Sequence, residues 1–178
     1  MSTYIILLRA IGPVTHKVMS MTQWREAVAA ARGYHDPQTY VATGNMIVGS
    51  EKGIAEVTRD MNAVVRDLGL GPGNVAVVRK AADLRKLVAA NPFSEAAAER
   101  ASELAVYFFA GTPDFAWLDA YDGPESWHVE GKHLFVDYEG RISQSPRLAG
   151  LVEKRSGTGT ARNWNTVKAL AERAGARQ

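Results

Sequence analysis

The apolar positions of this chain fall into two spacings, continuous or alternating runs that suit strands and three-four repeats that suit helices. Tyr4-Ile5-Ile6-Leu7-Leu8, closed by Arg9, predicts a first strand over residues 4–9. Ser20 or Thr22 then caps a helix reaching Arg32, with Trp24, Val28 and Ala31 at helical spacing and Gly33 as its stop. Residues 39–43 and 46–48 read as short strands flanking a two-residue Gly44-Asn45 turn. Ser50 caps a second helix carrying Ile54, Val57, Met61, Val64, Val65 and Leu68 on one face. Gly69-Leu70-Gly71-Pro72-Gly73 breaks it, and residues 75–79 form a fourth strand. The order β-α-β-β-α-β is that of a split βαβ unit.

A second set follows. A helix over residues 82–90 ends at Asn91-Pro92. Residues 104–110 read as a strand, 114–121 as a short helix, and 126–130 with 133–138 as a hairpin around Gly131. Helices near 146–154 and 165–174 complete the reading. The predicted class is α+β: tandem ferredoxin-like halves, each an antiparallel sheet with helices on one face. The second half is expected to lack its final strand and to carry extra C-terminal helices. The expected boundaries are 1–80, a helical connector over 81–95, and 96–178.

Topology alone points to one polar cluster. In a split βαβ unit strands one and two run parallel with strand three antiparallel between them. Arg9, residues 11–17 including Lys17, and the turn of Thr43, Gly44 and Asn45 should therefore share one edge of the sheet. The helix entering there would add partial positive charge, and the chemistry implied is the binding of an anion.

A second polar cluster stands near the C-terminus. Thr160-Ala161-Arg162-Asn163-Trp164-Asn165-Thr166 gathers amide, guanidinium, hydroxyl and indole groups ahead of an amphipathic helix. Arg162, Asn163 and Asn165 can hold a phosphate or carboxylate at the helix start. Equally, one asparagine can cap the helix while Trp164 anchors it in a core.

These landmarks carry a resemblance. Arg9 closing strand one, Met21 opening helix one, Thr39-Tyr40-Val41-Ala42-Thr43-Gly44-Asn45, Asn91-Pro92-Phe93 and Thr160 through Val167 occur in the order of a bacterial family known as domain of unknown function 1697. The chain resembles that family over nearly its whole length. The resemblance implies tandem ferredoxin-like halves and no established activity. Members of that family usually carry a glycine-rich R-G-I-N-V-G-G loop. Here the loop reads Arg9-Ala10-Ile11-Gly12-Pro13-Val14-Thr15-His16-Lys17, without the double glycine and with an N–H lost at Pro13.

Composition narrows the function classes. No cysteine is present, which removes disulfides, thiolate metal sites and cysteine nucleophiles. No apolar run approaches the roughly 18–20 residues of a membrane span, and a cytoplasmic location is the expectation. The net charge of +2 conceals segregation: residues 1–80 carry 9 Lys/Arg against 6 Asp/Glu, 81–140 carry 4 against 11, and 141–178 carry 8 against 2. The basic C-terminal stretch either binds nucleic acid or an acidic membrane surface, or docks on the chain's own acidic middle third.

No catalytic set, cofactor motif or metal-ligand spacing is legible. His128 and His133 face each other only if Glu130-Gly131 is the hairpin turn, and not if the turn is Gly131-Lys132. The expected function is binding of a small anionic ligand, or of an acidic group on a partner, at the sheet edge between the two lobes. The alternatives are nucleic-acid binding through the basic C-terminal segment, or an enzyme acting on a phosphorylated or carboxylated small molecule. Strand three offers no aromatic for base stacking, whereas Tyr107, Phe109 and Phe135 alternate in the second half.

Overall fold

A computed structural model describes residues 1–139 and 146–177, so residues 141–145 and 178 of the basic C-terminal stretch, with residue 140 before it, lie outside the described residues. The chain forms two units, residues 1–85 with 170–178, and residues 86–169. Each contains a four-stranded antiparallel sheet flanked by helices, an α+β architecture. No helix among the described residues is long and apolar enough to cross a membrane.

In the first unit β1 (Ser2–Leu8) lies between β3 (Asn45–Ser50) and β4 (Ala76–Lys80), with β2 (Tyr34–Thr39) outside β3. A one-turn helix α1 (Pro13–His16) precedes α2 (Met21–Ala30), and α3 (Ile54–Asp67) joins β3 to β4. Ser20 caps α2 as expected: its hydroxyl accepts the Gln23 N–H while the Gln23 side chain accepts the Ser20 N–H. Trp24 and Val28 of α2 and Val57, Met61 and Val65 of α3 pack on Tyr4, Ile6, Leu8, Met46 and Val48. Ile5, Leu7, Ile47 and Val77, which alternate with these, are buried too. A strand shielded on both faces has no polar side to show, which is why β1 reads as an unbroken apolar run.

Two local expectations fail here. Asn45 is the first residue of β3 and not half of a two-residue turn, because Thr39 pairs with Met46 and residues 40–44 make the connection. Nor does Ser50 cap α3. Its hydroxyl donates to Gly33 O and accepts the Lys52 N–H, leaving Gly53 at the N-cap. Around that point Lys52 Nζ and Tyr34 Oη both reach Asp60, each at 2.7 Å.

The second unit begins within α4 (Ala81–Ala89) and continues through α5 (Ser94–Glu99) to β5 (Leu104–Phe109). A 3₁₀ turn over Ala116–Ala120 stands where a short α-helix was expected. β6 (Ser126–Glu130) and β7 (His133–Asp137) form the predicted hairpin, with Glu130 opposite His133 and Gly131-Lys132 as the turn. His128 therefore faces Phe135, and His133 packs edge-on against Phe108. α6 (Pro146–Leu151) runs into a π-helical turn over Val152–Ser156.

The final strand of this unit is present, contrary to the sequence reading. β8 (Gly159–Asn163) pairs antiparallel with β5, giving the order β6-β7-β5-β8, and α7 (Trp164–Gly175) follows at once. Gly-Thr-Ala-Arg-Asn has little intrinsic strand preference, so pairing with β5 imposes the conformation. Gly159 makes the close approach possible, since a Cβ there would stand 2.3 Å from the Phe108 carbonyl oxygen. Asn163 ends the strand and caps α7, its side-chain oxygen accepting the Thr166 N–H at 3.0 Å.

Arg100 clasps Asp137 with two hydrogen bonds of 3.0 and 2.6 Å. That contact, working against burial and helped by the Glu139 N–H, holds the Asp137 carboxyl below its usual pKa. The stabilisation is complete above the unfolded carboxyl value of about 4 and is lost as pH falls through the lower folded one. Asp137→Asn should therefore flatten the acid limb of a stability-versus-pH curve between about pH 5 and 2, measured by urea unfolding. Gly159→Ala should destabilise by about 1–3 kcal/mol, read as a fall in Tm, because the added methyl meets backbone and not a movable side chain.

Candidate functional site

Two surface loops meet at one end of the first sheet. The Leu8 N–H donates to Gly44 O at 2.8 Å, tying the end of β1 to the β2–β3 connection. His16 Nε2 lies 2.8 Å from Ala42 O, so that nitrogen carries the proton. Gly44 has φ 88°, and a Cβ on it would stand 2.8 Å from Ile11 Cγ1 and 2.9 Å from Leu8 Cβ. Only glycine fits both the left-handed backbone and that approach.

Arg9 leans to the other side of β1. Its N–H donates to Val75 O, and its guanidinium to Gly73 O at 3.1 Å. Asn74 completes the clasp by donating to the carbonyls of Arg9 and Ala10. Ala10, inside this clasp, has φ 61°, and Val41, in the β2–β3 connection, has φ 50°. A β-branched residue rarely adopts that conformation, and holding it there costs about 1–3 kcal/mol.

Individual site residues separate by role. Asn45 is fully buried, its amide donating to Tyr40 O at 3.0 Å and Thr43 Oγ1 at 2.8 Å. It and Thr43 hold the loop in shape. Lys17 is exposed, close in sequence to Val14 and Val18, which are 76% and 48% exposed. Val41 is 51% exposed. At the helix starts of this edge, α1 is a single turn, and in α2 the Ser20 and Gln23 side chains engage each other's backbone N–H groups.

Arg162, Asn163 and Asn165 belong to the second unit. Arg162 is 7% exposed and donates to Thr160 Oγ1 at 2.6 Å and Ala161 O at 2.9 Å, and burial draws its pKa down to about 10. Asn163 is the helix cap already described, Trp164 is buried against Phe135, and Asn165 is exposed on the first turn of α7. Phe109 and Phe135 are buried, and register puts Phe135 opposite Val106 while Tyr107 faces Leu134, so the three aromatics share no stacking face. The basic C-terminal residues do not all turn to the acidic middle third. Arg177 bonds Asp36 and Arg173 stacks over Tyr40, both in the first unit, while Arg147 pairs with Asp122 at 3.7 Å.

Sequence reasoning missed two hollows of the second unit. One, of about 240 Å³, lies under the π-helical turn with Tyr107 and Phe109 of β5, Gly159 and Ala161 of β8, and Val152 and Glu153 around it. The hydroxyl of Tyr107, one of its lining residues, shares a hydrogen bond with the Tyr138 hydroxyl. The other, of about 170 Å³, is lined by Trp117, Ala120, Tyr121, Arg147, Leu151 and Arg155. The i, i+4, i+8 spacing of Arg147, Leu151 and Arg155 was the available signal.

A family model described as "Protein of unknown function (DUF1697)" matches residues 1–135. No curated protein matches the chain. Among solved structures it is similar to conserved bacterial protein SP0830 from Streptococcus pneumoniae, with a TM-score of 0.74 and 14% sequence identity, covering 98% of this chain and 99% of that one. At that identity the likeness concerns the fold.

Asn45→Ala should lower stability by about 1–3 kcal/mol by removing a buried amide that bonds the Tyr40 carbonyl and Thr43 Oγ1, loosening residues 40–44. Hydrogen exchange should show the faster amide protons confined to that loop and its contacts with residues 8–11.

Proposed function

The chain belongs to the DUF1697 family of proteins of unknown function, which assigns no activity, and from the geometry we propose a recognition protein built from tandem ferredoxin-like units. The tandem reading is supported by strand order. Taking each unit's strands in sequence, both sheets run second-third-first-fourth with all neighbours antiparallel. That is the split βαβ order with its closing strand.

The proposed recognition surface is the meeting of residues 9–18 with residues 40–45. The observation that carries it is the strained, exposed Val41 in a loop anchored to the segment that bears Val14, Lys17 and Val18. Exposed valines beside cationic side chains suit an occupant that brings an acidic group together with apolar surface. A partner's acidic segment fits better than a free small anion, which would leave the valines in water. Gly44 and Asn45 take part as the frame, and Arg9 as a cation held by the residue 73–75 loop. Binding is favoured over catalysis because His16 is the one imidazole or carboxylate base among residues 9–18 and 40–45, with no acidic side chain in those segments to share its proton.

Lys17→Glu and Val14→Ser alter exposed side chains and should leave Tm unchanged. Each should weaken binding of acidic, leucine-containing peptides about three- to tenfold in anisotropy titrations, with the Lys17 effect shrinking as salt rises. Equal binding by wild type and both variants would remove this surface from consideration, and tighter binding of citrate or inorganic phosphate than of any peptide would favour a small anion instead.

A further inference from the structure

The 170 Å³ cleft of the second unit is a built arrangement of rings and guanidinium groups. Trp117 is locked in place: its indole N–H donates to Ser156 Oγ at 2.9 Å and to Asp114 O at 3.1 Å, and Ser156 Oγ donates to Asp114 O at 2.7 Å. Ser156 is the last residue of the π-helical turn, so the turn that fixes the indole also sets the position of Arg155. Tyr121 stands edge-on to Trp117 with ring centroids 6.1 Å apart, and its hydroxyl donates to the largely buried Glu125 at 2.6 Å. Their polar atoms are engaged inside the protein, and both half-buried rings line the cleft.

The cations come from one helical face. Arg147 lies 5.4 Å from the centre of the Tyr121 ring and 3.7 Å from Asp122. That ion pair joins side chains that are 67% and 86% exposed, a setting in which a pair contributes little and yields to a stronger anion. Arg155 is exposed and has no ion-pair partner among the described residues. Between them Leu151 supplies an apolar wall. The volume matches about five or six waters, enough for one planar ring and a substituent.

We propose that this cleft binds a planar aromatic group bearing a phosphate, the chemistry of a nucleoside monophosphate. Guanidinium groups match phosphate oxygens in a bidentate fork, and two of them suit a dianion better than a single carboxylate. An indole face contributes stacking energy regardless of which base it meets. The same chemistry arises from a free nucleotide or from a nucleotide within a strand. The surface of the first unit uses none of these residues, so the two proposals stand or fall separately.

Calorimetric titration of the full chain with AMP, adenosine, inorganic phosphate and an eight-nucleotide single strand tests the assignment. AMP or the strand should bind at least about tenfold more tightly than adenosine or phosphate alone, because ring and anion are held together. Arg155→Gln should weaken the binding about tenfold or more by removing a charge-assisted contact. Asp122→Asn, which frees Arg147, should strengthen it about two- to fivefold. A preference for AMP assigns the site to a free nucleotide, and a preference for the oligonucleotide to a strand. No heat from either probe with wild type and Asp122→Asn, or binding that Arg155→Gln leaves unchanged, would overturn the proposal. Unchanged thermal melting of the two variants, both altered at exposed side chains, excludes misfolding as the cause of a loss.

Discussion

Burial of both faces of the central strands is the constraint on which the rest of this protein depends. β1 keeps Tyr4, Ile5, Ile6, Leu7 and Leu8 at no more than 1% exposure, and β5 buries Leu104, Val106 and Phe108 on one face and Ala105 and Phe109 on the other, with Tyr107 half-buried. Such strands cannot carry functional polar groups along their length. Polar chemistry is displaced to strand ends, connecting loops and edge strands. The end of β1 gives Arg9 and the start of β3 gives Asn45. The edge strands β4 and β8 give Arg79 and Arg162.

Those two arginines mark an internal equivalence. Arg79 is opposite Ile5 and Arg162 is opposite Val106, each the last residue but one of its edge strand. A helix follows each strand immediately, α4 after β4 and α7 after β8. Both guanidinium groups bond backbone carbonyls nearby, and burial pulls both pKa values down to about 10. The two units thus repeat a junction as well as a strand order, although their loops have diverged.

What the sequence revealed follows from where local preference and tertiary context agree. The β1 run, a helix cap at Ser20 or Thr22, the Val57-Met61-Val65 stripe of α3 and the β6–β7 hairpin were all legible, because short-range pattern and long-range packing favour the same conformation there. β8 was misread because Gly159-Thr160-Ala161-Arg162-Asn163 is a strand only by virtue of β5. The β2–β3 connection was misread because Gly-Asn signals a tight turn, whereas the structure places Asn45 in the ladder and takes its positive φ at Val41 and Gly44. Topology did bring residues 10–17 to the turn of residues 42–44, but it could not foretell that Arg9 leans towards Gly73. The Trp117–Arg155 cleft was not legible because the spacing of Arg147, Leu151 and Arg155 says nothing of the rings they face, and the π-helical turn that carries Arg155 has no short sequence signature.

The division of the chain has a temporal side. The second unit is one continuous stretch, residues 86–169, whereas the first recruits residues 170–178 from the far end of the chain. Arg173 over Tyr40 and Arg177 on Asp36 are contacts that cannot form until the ribosome has finished the intervening segment. The first half to be synthesised is therefore the last to be completed. Its final anchoring closes a loop of more than a hundred residues, at an entropic cost that grows only logarithmically with loop length. During synthesis β2, the edge strand carrying Asp36, waits without its C-terminal contacts, and that interval is when it is most open to pairing with another chain.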